Sequence, residues 1–176
     1  IGAVLLGLTG VHDAGVSLDV LQAYKELIGE NGLPLRVYAM IRGPGATLDE
    51  YLRRGPEIGL GGGRLTVRSI KMGIDGALGS RGAALLEPYS DEPGNRGLIL
   101  VAPARLAEVC ERALERGFQV NTHAIGDRGN RLALDIYEAA FLGRKEYPPD
   151  HRFRIEHAQV LAMEDLPRLG RLNVIA

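Results

Sequence analysis

The chain has 176 residues, 45% of them hydrophobic and 24% charged, with a formal net charge of -1. That balance belongs to a folded domain with a real core and excludes a disordered segment. Near-neutral charge with no basic run excludes an electrostatic footprint for nucleic acid or anionic lipid, and no apolar stretch approaches the ~20 residues of a membrane span.

No signal peptide opens the chain, so a soluble, cytoplasmic protein is the default expectation. TGVHD (9–13) reads as a short strand, followed by Ser17 as an N-cap and by Val20, Leu21, Tyr24, Leu27 and Ile28 at helical spacing. Gly32 and Pro34 close that helix. LRVYAMI (35–41) is the next strand, and TLDEYLRR (47–54) a short helix opening on a Thr47 cap. RLTVRSIK (64–71) alternates and is β-branched. PARLAEVCERALERG (103–117) starts with Pro near its first turn, puts Leu106, Ala107, Cys110, Ala113 and Leu114 on one face and ends in Gly117. Cys110, the single cysteine, is thus a core residue, with no disulfide available and nothing to support a thiol nucleophile.

FQVNTH (118–123) is a strand that leads to a helix capped by Asp127, with Leu132, Ala133, Ile136, Tyr137 and Ala140 in register. RFRIEH (152–157) is a further strand, MEDLPRL carries a short helix, and NVIA at the end reads as a strand just beginning. Strand and helix alternate throughout, so the expected class is α/β with parallel strands and crossover helices. On pattern alone a doubly wound sheet and a (β/α) barrel both stay open. One segment breaks the rhythm: residues 73–101 are long, Gly-rich and punctuated by Pro88 and Pro93, the character of an active-site loop. GLGGGR (59–64) precedes a strand rather than opening a helix, so it reads as a flexible turn and not as a nucleotide-binding loop.

Four strands end in polar groups: His12 and Asp13, Lys71, His123, and His157. In parallel α/β folds the carboxyl edge of the sheet gathers ligands. A lone histidine in such a place is more often a hydrogen-bonded structural residue, but three at strand ends shift the balance. The fourth, His151, falls in the polar stretch YPPDHR and reads as solvated. Neutral imidazoles converging from neighbouring strands suit a divalent metal, zinc most readily. Lys71 does not fit that picture by itself, because an ammonium has no lone pair to give.

TGVHDAG, IKMGIDGALGSRGA, VNTHAIGDRGNRLALDIYE and RIEHAQ, in that order, resemble the amidohydrolase superfamily, in particular its N-substituted formamide deformylase-like branch. The resemblance spans almost the whole chain. It implies an incomplete (β/α)8 TIM barrel covering about strands 2 to 7, one partial domain over residues 1–176, and a metal-dependent hydrolase acting on carbon–nitrogen bonds of a small-molecule substrate. It implies metal ligands at Lys71, acting as a carbamate, at His123 and at His157, for one or two divalent ions. Asp75, Gly76 and Arg81, in the long loop, are the candidates for substrate contact or lid. Asp127 is expected to cap its helix, a contribution of ~1 kcal/mol, and Glu156 to face away from His157 in a regular strand.

The family's HxH pair and its general-base aspartate are not found, and Gly82 stands where relatives carry threonine. A start at Ile1 and an end in NVIA therefore read as a fragment, inactive by itself, which could pair with another copy as a homo-oligomer or leave residues 73–101 loosely ordered. The competing reading is a non-catalytic α/β scaffold or binding module.

Overall fold

The computed structural model describes residues 2–143 and 150–176. After a single helical turn, α1 (Gly2–Leu5), the chain alternates as expected: β1 (Gly10–Val16), α2 (Leu18–Gly29), β2 (Arg36–Arg42), α3 (Ala46–Arg54), β3 (Glu57–Gly59), α4 (Leu60–Gly63), β4 (Leu65–Gly73), α5 (Pro103–Glu115), β5 (Gln119–Ala124), α6 (Asp127–Leu142), β6 (Arg154–His157) and α7 (Leu166–Arg171). The class is α/β, an incomplete (β/α)8 barrel. No helix among the described residues is long and apolar enough to cross a membrane.

Packing divides the chain into two compact units, residues 1–71 with 116–118, and residues 72–115 with 119–176. In the first, β1 pairs β2 in parallel from Gly10↔Arg36 to Val16↔Ile41, and β2 pairs β4 in parallel from Val37↔Leu65 to Arg42↔Lys71. Val37, Ala39, Ile41, Leu65 and Val67 supply the buried strand positions, and Leu48, Tyr51 and Leu52 the buried stripe of α3. Ser17 caps α2 as expected, its hydroxyl accepting from Val20 N–H. Thr47 does not cap α3. Gly45 occupies that position and offers no side chain, so the cap lies two residues earlier than the polar residue suggested.

GLGGGR is also more ordered than a flexible turn. Gly59 closes the short strand β3, which pairs antiparallel with β4 through Glu57↔Val67. Gly61 and Gly62 adopt left-handed conformations, and a Cβ on Gly61 would come within 2.4 Å of Ile28, so the tight turn requires glycine there.

In the second unit β5 pairs β6 in parallel, with His123↔Glu156 and Ala124↔His157 in register. The last residues continue the pattern: Ile155 N–H donates to Ile175 O, and Ile175 N–H to Phe153 O. Leu106, Val109, Cys110 and Ala113 form the buried stripe of α5. Cys110 is fully buried, which pushes its thiol pKa far up and keeps it an inert core group. On α6 the stripe is Ala133, Leu134, Ile136, Tyr137, Ala140 and Phe141. Tyr137 hydroxyl reaches Thr122 Oγ1 at 2.6 Å and Arg154 O at 3.1 Å, so Thr122 faces the helix layer and its strand neighbours Asn121 and His123 face the other way.

His151 is the clearest departure from expectation. It is buried, 4% exposed, with its ring 4.1 Å from the Phe141 ring. Phe153 N–H donates to Nδ1, and Nε2 lies 2.9 Å from Leu172 O. Polar neighbours in sequence suggested solvent, but the residue turns inward because both ring nitrogens find backbone partners.

Candidate functional site

Lys71, His123 and His157 each lie at the carboxyl-terminal part of a parallel strand, β4, β5 and β6 respectively. Lys71 closes the first unit. It stands opposite Arg42 in the β2–β4 register, and its carbonyl accepts from Gly43 N–H at 3.1 Å. The second unit brings His123 and His157 together, with ring centroids 4.7 Å apart and planes at 75°.

Strand periodicity alone would not produce that meeting. In register His123 shares its side of the sheet with Glu156, whereas His157 pairs with Ala124 and belongs to the opposite side. His157 escapes the alternation because it adopts φ +77 and Ala158 φ +43, a left-handed bend that is rare for residues with a side chain. The bend turns the His157 ring against His123. Glu156 stays with its strand, ion-paired to Arg154 at 2.7 Å and accepting from Asn121 Nδ2 at 3.2 Å.

The long segment between β4 and α5 is ordered around Asp75. Its side chain is fully buried, Oδ2 accepts from Ala84 and Gly126 N–H at 2.9 Å each, and Oδ1 accepts from Ile125 N–H at 3.0 Å. With its lone pairs directed at three amides and no solvent exposure, the Asp75 carboxylate is an internal tie rather than a substrate contact. Oδ1 lies 3.6 Å from His123 Nε2, an ion-pair distance longer than a hydrogen bond. Gly76 is packed backbone to backbone: its N–H donates to Gly82 O, and a Cβ on it would come within 3.1 Å of Gly82 Cα. The absence of a side chain at Gly82 thus has a local steric use. Arg81 lies on the surface with φ +56, bidentate on Asp91 and 3.5 Å from Glu92.

Asp127 is not the N-cap of α6; Gly126 is, and a Cβ on it would sit 2.0 Å from Ala84 O. Asp127 is the first helical residue, and its Oδ1 accepts from Leu86 N–H at 2.8 Å and Arg128 N–H at 2.9 Å, fastening the long loop to the helix start.

One organising residue escapes a reading of the sequence. Asn130 is fully buried, and its Nδ2 donates to Ile125 O, Gly126 O and Val160 O, linking the segments that follow β5 and β6. The only hint is a polar residue on the inward stripe of α6.

No group of three or more His, Cys, Asp or Glu among the described residues is arranged to hold a metal ion. What the second unit offers is two imidazoles from neighbouring strands. Imidazole nitrogens are the right donors for zinc and similar divalent cations, but they are one short of the three protein ligands usual in a catalytic zinc site. The donor set fits part of a metal centre.

Residues 3–176 match the amidohydrolase family model. The chain is 31% identical over 177 aligned residues to the putative amidohydrolase YtcJ of Bacillus subtilis, covering 96% of this chain and 31% of that protein. It is 42% identical over 112 residues to the protein LONG AFTER FAR-RED 3 of Arabidopsis thaliana, covering 64% of this chain and 19% of that one. Among solved structures it is similar to an uncharacterised metal-dependent hydrolase of Pyrococcus furiosus, with TM-score 0.85 and 33% identity over 98% of this chain and 34% of that chain. A second, from Pyrococcus horikoshii, gives TM-score 0.86 at 31% identity and covers 33% of that chain. The chain thus spans at most about a third of these relatives.

Proposed function

Because the chain belongs to the amidohydrolase family, we propose that it carries part of the centre of a metal-dependent hydrolase acting on carbon–nitrogen bonds of a small molecule, whether amide, formamide or cyclic amide. The observation that carries this reading is the meeting of the His123 and His157 rings at the ends of neighbouring parallel strands, achieved through a strained backbone at His157. Strain of this kind costs on the order of 1–3 kcal/mol and persists where the surroundings over-determine it, which is characteristic of functional sites. The two Pyrococcus neighbours, both metal-dependent hydrolases, agree with it.

Lys71, His123 and His157 would hold the cation, zinc by the preference of imidazole. Lys71 would contribute once its neutral amine has added carbon dioxide and lost a proton, giving an anionic carbamate in place of the ammonium. A cation there supplies Lewis acidity, polarising a scissile carbonyl and bringing the pKa of water toward neutrality. The chain's own residues do the holding. The bend at His157 fixes one ring, and Asp75 and Asp127 tie the long loop to the start of α6.

Zinc titration of the purified chain against a chromophoric competitor tests the assignment. His123→Ala and His157→Ala should each lower zinc affinity by roughly tenfold or more. Lys71→Glu should bind more tightly than Lys71→Ala, because only glutamate supplies an anionic oxygen. Equal affinities in the two lysine variants would remove Lys71 from the ligand set. Affinities unchanged in both histidine variants would sink the metal site and leave a non-catalytic scaffold.

A further inference from the structure

We propose that Asp75 is a positioning residue for His123: its buried carboxylate holds the ring in the Nε2–H tautomer and so leaves the lone pair on Nδ1. This rests on the assignment of His123 to the metal site, but its physical basis is independent of any metal.

The carboxylate is unusually well fixed. Three backbone N–H groups, from Ala84, Ile125 and Gly126, converge on its two oxygens at 2.9–3.0 Å. Two of those amides lie at the N-terminal entry of the 16-residue helix α6, where the partial positive charge of the helix end favours an anion. Gly129, in the first turn, packs against the same carboxylate, since a Cβ there would come 2.6 Å from Oδ2. The backbone of His123 is held from this loop too, its carbonyl accepting from Ile74 N–H at 2.9 Å. Asp75 therefore cannot swing to suit the ring; the ring must suit Asp75.

Oδ1 stands 3.6 Å from His123 Nε2, with the Asp75 side chain fully buried and the imidazole 22% exposed. A neutral imidazole can present to that oxygen either an N–H or a lone pair. A lone pair facing a carboxylate is repulsive, and the repulsion is poorly screened in a buried setting, whereas an N–H facing it is attractive. The choice at Nε2 fixes the other nitrogen: with the proton on Nε2, the lone pair of the neutral ring is on Nδ1. A metal-ligating histidine whose second nitrogen is oriented by a carboxylate is also the more basic ligand. Asn130 supports the same loops through Ile125 O, Gly126 O and Val160 O but carries no charge toward the ring, so it serves as a control for looseness without a tautomer effect.

The experiment is long-range proton–nitrogen NMR of the metal-free chain with labelled histidine, at a pH where the rings are neutral, with His123 assigned by the signal lost in His123→Gln. The wild type should show His123 as the Nε2–H tautomer. Asp75→Asn puts either an amide N–H or a weaker acceptor before Nε2, so the population should move toward Nδ1–H and zinc affinity should fall by roughly tenfold. Asn130→Ala should lower the unfolding midpoint while leaving the His123 tautomer as in the wild type. An Nδ1–H tautomer in the wild type overturns the proposal without recourse to any variant, as does an unchanged His123 spectrum in folded Asp75→Asn. If the tautomer responds as expected while His123→Ala leaves zinc affinity intact, the positioning stands and it is the metal assignment that fails.

Discussion

At the scale of the residue, His151 shows how the same side chain type can do unrelated work in one small unit. Because Phe153 N–H donates to Nδ1, that nitrogen must carry a lone pair, and Nε2–H is left to donate to Leu172 O. Protonation would set a second N–H against the Phe153 amide inside a cluster of Phe141 and Phe153 rings. Burial accordingly pushes its pKa below the ordinary histidine value, against smaller opposing pulls from the Leu172 carbonyl and the Asp150 charge. A base whose folded pKa is depressed contributes stability that is present above the unfolded value of ~6.5 and lost as pH falls through the folded one. We expect the unfolding free energy of the wild type to drop between pH 7 and pH 5. His151→Phe should be less stable at pH 8 but lose less over that interval. Parallel pH profiles for the two proteins would show that His151 is not the titrating group.

At the scale of the element, α7 is short and buries none of its residues, so something other than apolar contact must seat it. Arg168 does so: its side chain is 15% exposed, and its guanidinium reaches Asp135 at 2.7 Å and Glu138 at 2.8 Å on α6, and Asp165 at 3.0 Å. Arg171 adds Glu138 at 2.8 Å, and Arg131 of α6 holds Asp165 at 2.7 Å. Shared, partly buried pairs of this kind are worth more than isolated surface ones, and removing the central cation leaves the buried Asp165 with Arg131 alone and takes from Glu138 its nearest partly buried partner. Arg168→Ala should cost ~1–3 kcal/mol by chemical denaturation at pH 7. The cost should shrink in acid, since Arg168 first and Arg171 after it hold the Glu138 carboxyl below its ordinary range; that contribution exists above the unfolded pKa and disappears as pH falls through the folded one. A cost unchanged at pH 3 would mean that packing, not charge, seats the helix. The start of α6 is governed by sterics instead. A methyl group at Gly126 would meet Ala84 O at 2.0 Å, so Gly126→Ala should destabilise by ~1–3 kcal/mol and release the amides that Asp75 binds. A neutral outcome for that variant would show that the loop can retreat.

At the scale of the whole molecule, the cores are built without any metal. Aliphatic and aromatic side chains fill both units, and the ties that order the long loop are hydrogen bonds from Asp75, Asp127 and Asn130. The described residues bring together two imidazoles but no group of three carboxylate, imidazole or thiol ligands. Zinc should therefore bind weakly, in less than one equivalent after desalting, and be lost to a chelator. At a metal concentration equal to Kd the linkage stabilisation is only ~0.4 kcal/mol, so a chelator should leave the unfolding midpoint almost unmoved. Metal analysis and thermal unfolding with and without chelator check this. Tightly held metal with a large midpoint shift would mean that ligands beyond these two histidines complete the site.

The sequence by itself determined the α/β class, the order of the longer strands and helices and the placement of Lys71, His123 and His157 at strand ends, because two-residue and 3.6-residue periodicities and Gly/Pro punctuation are local signals; it did not show α1, β3 or α4. What only the tertiary structure decided are matters of partnership. Asp75 looked available for a substrate until three distant amides were seen to occupy it, and Asp127 looked like a cap until Leu86 claimed its oxygen. His151 looked solvated until Leu172, 21 residues away, supplied a buried carbonyl. Glu156 and His157 could not be assigned to faces by alternation, because a left-handed bend at the strand end breaks it. Side-chain periodicity is a property of the local backbone and is written into neighbouring residues, whereas the partner of a buried polar group is chosen by the folding of remote segments around it.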